Sequence, residues 1–145
     1  GGDIAWISYS KDHGATWSAP IQVNTDSDNS PHIVQVVGGF GPAYVAWLTD
    51  AGPAGSGWTM WFRPFSISQG WLTAPMEVSK QEGIKASWPG DTFGIAWLPS
   101  SSSIGRQRIA LTWGSAYSET QSRPSSQIYS SVVSLDLAVV QSPVG

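Results

Sequence analysis

Apolar residues recur along this chain in short segments with a two-residue period, and clusters of Gly, Pro, Asn, Asp and Ser separate these segments. In residues 4–9, Ile4 and Trp6 fall on one face of a strand, and Ala5 and Ile7 fall on the other. Apolar side chains on both faces are typical of a strand between stacked sheets. The same pattern predicts strands at 20–23, 32–37, 43–49, 58–65, 74–78, 90–97 (with its opening turn), 108–113, 127–133 and 135–140.

No segment combines a capping box with the 3.6-residue apolar spacing of an amphipathic helix. Between the later strands, residues 99–107 and 114–126 are rich in Ser and lack periodicity, so they are predicted to be loops. Short strands joined by tight turns form antiparallel sheets. The sequence therefore predicts an all-β fold.

A segment near the start of the chain recurs 55 positions later. Residues 17–23 align with 71–78, with one extra residue in the second copy, and Ala19 corresponds to Ala74 (74 − 19 = 55). A period of this length that contains about four strands is typical of a repeated four-stranded sheet. The sequence therefore divides into the end of one unit at 1–30, a full unit at 31–80 and most of a further unit at 81–145.

The turn at residues 10–17 links the first two predicted strands. Asp12 has a short carboxylate that accepts hydrogen bonds from nearby backbone N–H groups and so closes a turn. Gly14 takes positive φ without a steric cost, and Thr16 restarts extended geometry. Trp17 is then expected to place a large apolar surface in the core.

The motif Ser-x-Asp-x-Gly-x-Thr-Trp in this turn resembles the Asp-box, or BNR repeat, of sialidase-like β-propellers. The resemblance is strong over residues 3–35 and weaker over 40–135, where residues 90–96 match a Gly-Asp-x-x-Gly-Ile-Ala opening common in such repeat proteins. It implies antiparallel four-stranded blades of a β-propeller, with an incomplete ring in this chain. It also implies that the box supports the fold rather than the chemistry, through Ser10, Asp12, Gly14, Thr16 and Trp17.

The predicted units are too few to close a ring, because propellers close with about 4–8 blades. Open sheet edges invite pairing with other strands. Three arrangements stay open: a fragment of a longer propeller, a homo-oligomer that completes the ring, and an association with a separate chain. The start at Gly1-Gly2-Asp3 without an initiator Met favours an excised or processed piece of a longer chain.

Composition excludes several classes of function. The 145 residues carry a formal net charge of -3 with no basic cluster, so nucleic-acid binding has no electrostatic support. There is no Cys for disulfides or thiolate metal sites, and no apolar run approaches the roughly 20 residues that span a bilayer. His13 and His32 have no second ligand at metal-binding spacing, and an EF-hand's turn Gly and distal Glu are missing around Asn24, Asp26 and Asp28. We expect no metal and no cofactor.

The resembled family binds its substrate carboxylate with three arginines and uses a Tyr paired with a Glu as the nucleophile. The sequence around the Arg, Tyr and Glu residues that could correspond does not match the family's arginine cluster or its Tyr–Glu pair. These residues are Arg63, Arg106, Arg108, Arg123, Tyr44, Tyr129 and Glu119. The catalytic residues are therefore unknown, and whether the protein is an enzyme stays open.

Indole faces stack on sugar rings, and arginines pair with carboxylates. The candidate ligand-binding residues on these grounds are Trp58, Trp61, Arg63 and Trp88. The resemblance adds Asp91, because such propellers often expose a turn residue of this kind toward the central funnel. Each also has a structural interpretation: packing in a core or interface for the tryptophans, a solvated edge for the arginine and a capped turn for the aspartate.

Two functions are compatible with the sequence. The first is a sialidase-like propeller segment that recognises carbohydrate or hydrolyses glycosides only within a complete ring, in an extracellular or cell-surface protein. The second is a non-catalytic scaffold or binding module that presents loops at the propeller face, and assembly of a structural subunit through open strand edges stays open beside it. The expected partners are a glycan and either the remaining blades of a parent chain or further copies of this chain.

Overall fold

A computed structural model describes residues 3–25, 31–38, 41–50, 58–80, 93–98, 106–117 and 125–136. Within these ranges the regular secondary structure consists of β-strands alone, and every strand pair is antiparallel. The strands are β1 (Trp6–Ile7), β2 (Ile21–Gln22), β3 (Pro31–Val37), β4 (Ala43–Asp50), β5 (Trp58–Ser66), β6 (Gly70–Trp71), β7 (Met76–Lys80), β8 (Gly94–Leu98), β9 (Arg106–Tyr117) and β10 (Ser125–Asp136). The predicted all-β class is confirmed.

The strands form three sheets. The first is the hairpin β1–β2, the second has the order β3-β4-β5 with β6 and β7 both on the outer edge of β5, and the third has the order β8-β9-β10. The outer strand of the second sheet is split, because β6 pairs with the end of β5 and β7 pairs with its beginning. Between them, Leu72 N donates to Pro64 O at 3.0 Å, which keeps the interrupted chain attached to β5.

The second sheet lies between the other two. Its central strand is buried on both faces, since every residue from Tyr44 to Thr49 is buried. We call the face toward the hairpin the front face; Val45 and Trp47 there pack with Ala5, Ile7 and Val23 of the hairpin. The opposite face, the back face, shares one core cluster with the third sheet through Tyr44, Leu48, Met60, Phe62, Ile109, Leu111 and Trp113.

The second and third sheets are stacked with their strands in the same order. β3 lies against β8 at one side of the stack, and β10 approaches β7 at the other. The first strands of the two sheets, β3 and β8, therefore face each other, and so do their outer strands, β7 and β10. The hairpin covers only part of the front face, and Val34 and Val36 of β3 are exposed on the uncovered part.

The 55-residue repeat of the sequence is also a repeat of strand register. Trp6 pairs with Gln22 and Ile7 with Ile21 in the hairpin, whereas Trp61 pairs with Glu77 and Phe62 with Met76 in the second sheet. Each of the four hairpin residues lies 55 positions before its counterpart in the second sheet, for example Trp6 before Trp61 (61 − 6 = 55). The hairpin thus corresponds to β5 with its outer strand.

Several predicted boundaries need correction. The strand expected at 4–9 is paired as a strand only over β1, because the flanking amides of Ala5 and Tyr9 donate to side chains, Asn24 Oδ1 at 3.0 Å and Ser18 Oγ at 3.1 Å. The strand expected at 20–23 is likewise shortened to β2.

The predicted Ser-rich loops are also partly wrong. β9 extends from Arg106 to Tyr117 and β10 begins at Ser125, so both strands run into the segments expected to be loops. The two strands pair residue for residue over this extension, for example Ser126 with Ala116. This shared ladder satisfies the backbone polar groups of residues with low strand propensity. Of the strand expected at 135–140, Leu135 and Asp136 end β10, and the remainder lies outside the described residues.

Candidate binding surface around the first hairpin

The turn at residues 10–17 is closed by the Asp12 carboxylate, as its sequence predicts. Asp12 Oδ1 accepts hydrogen bonds from Thr16 N at 2.8 Å and from Ser10 Oγ at 2.8 Å, and Oδ2 accepts one from Thr16 Oγ1 at 2.6 Å. Ser10 Oγ also accepts the backbone N–H of Gly14 at 2.7 Å. The motif residues therefore bind mainly to one another, which is the arrangement of a structural turn.

The backbone of this turn enters the left-handed region at two successive residues. Gly14 has φ of 91°, which confirms the reason for a glycine there, and His13 has φ of 55°. A non-glycine residue tolerates this region only at some energetic cost. The Ala15 N–H donates to Asp12 O at 3.2 Å and helps to hold the bend.

The same hydrogen bonds change the acidity of Asp12. The Thr16 hydroxyl, followed by the Thr16 N–H and the Ser10 hydroxyl, lowers the pKa of Asp12 from 3.8 to about 2. Hydrogen bonds to a carboxylate favour its charged form. Asp12 is consequently ionised at neutral pH and has no proton to donate, so it is unsuited to act as a general acid there.

Trp17 is not in the core, contrary to the expectation from the motif. Its side chain is 65% exposed. The described layers pack only on the Ala5, Ile7 and Val23 side of the hairpin, so none of them covers Trp17. The turn supplies the local geometry, but burial of the indole depends on a neighbouring sheet.

Trp71 aligns with Trp17 in the sequence repeat, but Trp71 has a neighbouring layer, the hairpin, to pack against. Its Nε1–H donates to Gln22 O in the hairpin at 2.9 Å. Its ring meets Phe65 edge-on at 5.0 Å between centroids, and the Arg63 guanidinium lies 4.3 Å above it. Trp71 therefore joins the front face of the second sheet to the hairpin.

Arg63, one of the predicted ligand-binding residues, lies in the same junction. Its Nη1 donates to Val23 O in the hairpin at 2.8 Å, and its Nε donates to Thr73 O at 2.8 Å. Burial lowers the pKa of Arg63. The planar guanidinium is suited to this double role, because it presents donors in a fixed fork and stacks on an aromatic face. These contacts give Arg63 a structural task between two layers.

Trp61, another predicted ligand-binding residue, belongs to an aromatic pair on the front face. It stacks on Trp47 with ring centroids 6.4 Å apart, and its Nε1–H donates to Thr49 Oγ1 at 2.9 Å. The third sheet repeats the pair, with Trp113 and Tyr129 stacked at 6.2 Å. In both sheets the two rings lie on directly paired residues of neighbouring strands.

Of the other three predicted ligand-binding residues, only Trp58 lies in the described part of the chain. Trp58 begins β5 opposite Asp50. Trp88 and Asp91 lie outside the described residues, and so do Asp26 and Asp28. A ligand role for the five residues stays a prediction, although the contacts of Trp61 and Arg63 are those of packing residues.

Asn24, which the sequence singles out only for a comparison with a metal-binding loop, has a structural role. It is buried, its Oδ1 accepts Ala5 N at 3.0 Å, and its Nδ2 donates to Asp3 O at 3.3 Å. The amide thus continues the pairing of the hairpin beyond β2. The sequence feature that could have predicted this role is the position of Asn24 directly after the predicted strand that ends at Val23, since an Asn amide can substitute for backbone hydrogen-bond partners.

Tyr44 has no catalytic geometry. It is fully buried, stacks on Phe62 at 5.8 Å, and its hydroxyl has no hydrogen-bond partner among the described residues. Burial raises the pKa of Tyr44 to about 12, so the phenol is protonated at neutral pH. A nucleophilic tyrosine needs the opposite environment, with a base in hydrogen-bond reach.

The uncovered apolar residues near the hairpin form two groups. Ile4 and Trp6 are exposed on the hairpin itself, and Val34 and Val36 are exposed on β3. No cluster of His, Asp and Glu suited to a metal ion occurs among the described residues. In the same part of the chain, no helix has the length and apolarity to cross a membrane.

These features define an all-β protein built from stacked antiparallel sheets. No family model, no curated protein and no solved structure matches the chain.

Proposed function

We propose that this chain is a segment of a sialidase-like Asp-box β-propeller, which recognises carbohydrate or hydrolyses glycosides only as part of a complete ring. The observation that carries the proposal is the bonding of the turn at residues 10–17. Every side-chain oxygen of Ser10 and Asp12 is engaged within the motif. This agrees with the structural role that the resemblance implies for the box.

Two further features support a propeller architecture. The register of the hairpin recurs in the second sheet after 55 positions, and the second and third sheets stack with their strands in the same order. Repeated antiparallel sheets that pack face to face around an axis are the building principle of propellers. The ring itself, its blade number and an extracellular or cell-surface location are parts of the proposal.

A second candidate function is a non-catalytic scaffold or binding module. The observation that favours it is the use of the polar residues. Arg63 is engaged between layers, Tyr44 is buried with a raised pKa, and Asp12 is held as a carboxylate. Arg63, Tyr44 and Asp12 thus serve the structure, and a catalytic set would have to come from elsewhere in the ring.

The test is made on the full-length gene product that carries this chain. Turnover of a fluorogenic sialoside would support the enzyme, and glycan-array binding without turnover would support the binding module. Variants Trp58→Ala, Trp88→Ala and Asp91→Ala test the predicted contacts, with Trp17→Ala as the matched control for loss of an aromatic side chain. Absence of both turnover and glycan binding would overturn a carbohydrate function.

A further inference from the structure

No further inference is drawn: the strongest candidate, the part of the Arg63 guanidinium that its two carbonyl acceptors leave available between the hairpin and the second sheet, belongs to the junction already described, and nothing in the described part of the chain shows which ligand it would take.

Discussion

Trp6 and Trp61 occupy the same position in two copies of one strand pair, but their surroundings differ. Trp61 is half-buried and stacked on Trp47, and Trp6 is mostly exposed. The same contrast holds for the two tryptophans that follow the turns, since Trp71 bonds to the hairpin and Trp17 meets solvent. Local sequence sets the strand register in both copies, and the neighbouring layer decides whether the aromatic residues are buried.

The contrast has a thermodynamic consequence that mutations can measure. An aromatic side chain contributes through the apolar area that it removes from water and through its ring contacts. The second sheet provides both on its two faces, and the hairpin provides them on one face only. Equivalent substitutions should therefore cost much more in the second sheet than in the hairpin.

The largest difference is expected between Trp47→Ala and Trp6→Ala. Trp47 is fully buried, so truncation leaves a cavity and should lower the free energy of unfolding by about 3–5 kcal/mol. Trp6→Ala should cost less than about 1 kcal/mol, because the side chain is mostly solvated. Urea unfolding of both variants measures this, and Trp47→Phe serves as a milder core change if the alanine variant does not fold. Equal costs at the two positions would contradict the assigned layers.

Arg63→Met tests the junction between the hairpin and the second sheet. Loss of the two donors leaves Val23 O and Thr73 O without these partners and should cost about 1–3 kcal/mol. Arg63→Lys should fall between wild type and Arg63→Met, since a lysine keeps the charge but not the planar fork. Urea unfolding gives the stabilities, and faster amide exchange at Val23 would locate the effect. If Arg63→Met matched wild type, the junction would be without energetic importance.

Asp12→Ala should loosen the turn without unfolding the second sheet. The Thr16 N–H loses its acceptor at 2.8 Å, so its amide exchange should become faster, while exchange at Val45 stays slow. Asp12→Asn should preserve part of the protection, because an amide oxygen still accepts. Amide exchange that is unchanged at Thr16 in the alanine variant would show that the carboxylate does not close the turn.

The acidity of Asp12 gives a pH-dependent prediction. Because its pKa in the folded chain is about 2 and its ordinary value is 3.8, its contribution to stability is fully present above pH 3.8 and is lost as pH falls through 2. Thr16→Val removes the hydroxyl that is the largest cause of the shift, so the pKa should rise toward 3.8. An NMR titration of the Asp12 carboxyl carbon measures both values. The same low pKa in Thr16→Val would assign the shift to other groups.

The smallest effect is expected for Trp17→Ser. Its side chain is mostly exposed and the turn is held by Asp12, so the free energy of unfolding should change by no more than about 0.5 kcal/mol. Thermal unfolding of this variant beside Trp71→Ser provides the matched comparison. A large loss for Trp17→Ser would mean that the indole is covered in solution.

The features that could be predicted from sequence are those with local causes. The carboxylate and glycine of the turn at 10–17 act within seven residues, and the likeness of residues 17–23 to 71–78 indicates the 55-residue repeat that the strand register also follows. Alternating apolar residues also located most strands, because a strand buried on both faces needs them.

The features that escaped prediction depend on distant partners. Burial of Trp17 requires a layer that no local motif specifies, and the Arg63 junction joins carbonyls 40 positions away at Val23 and 10 positions away at Thr73. The Ser-rich ends of β9 and β10 are strands because each is the other's partner. Propensity alone assigns such residues to loops.

The position of the hairpin on the second sheet determines which tryptophans face solvent. NMR of the indole N–H signals in the presence of a soluble paramagnetic probe measures this for each residue. We expect strong broadening for Trp6 and Trp17 and protection for Trp47, Trp61 and Trp71. Protection of Trp17 equal to that of Trp71, or broadening of Trp47, would contradict the arrangement of the hairpin on the second sheet.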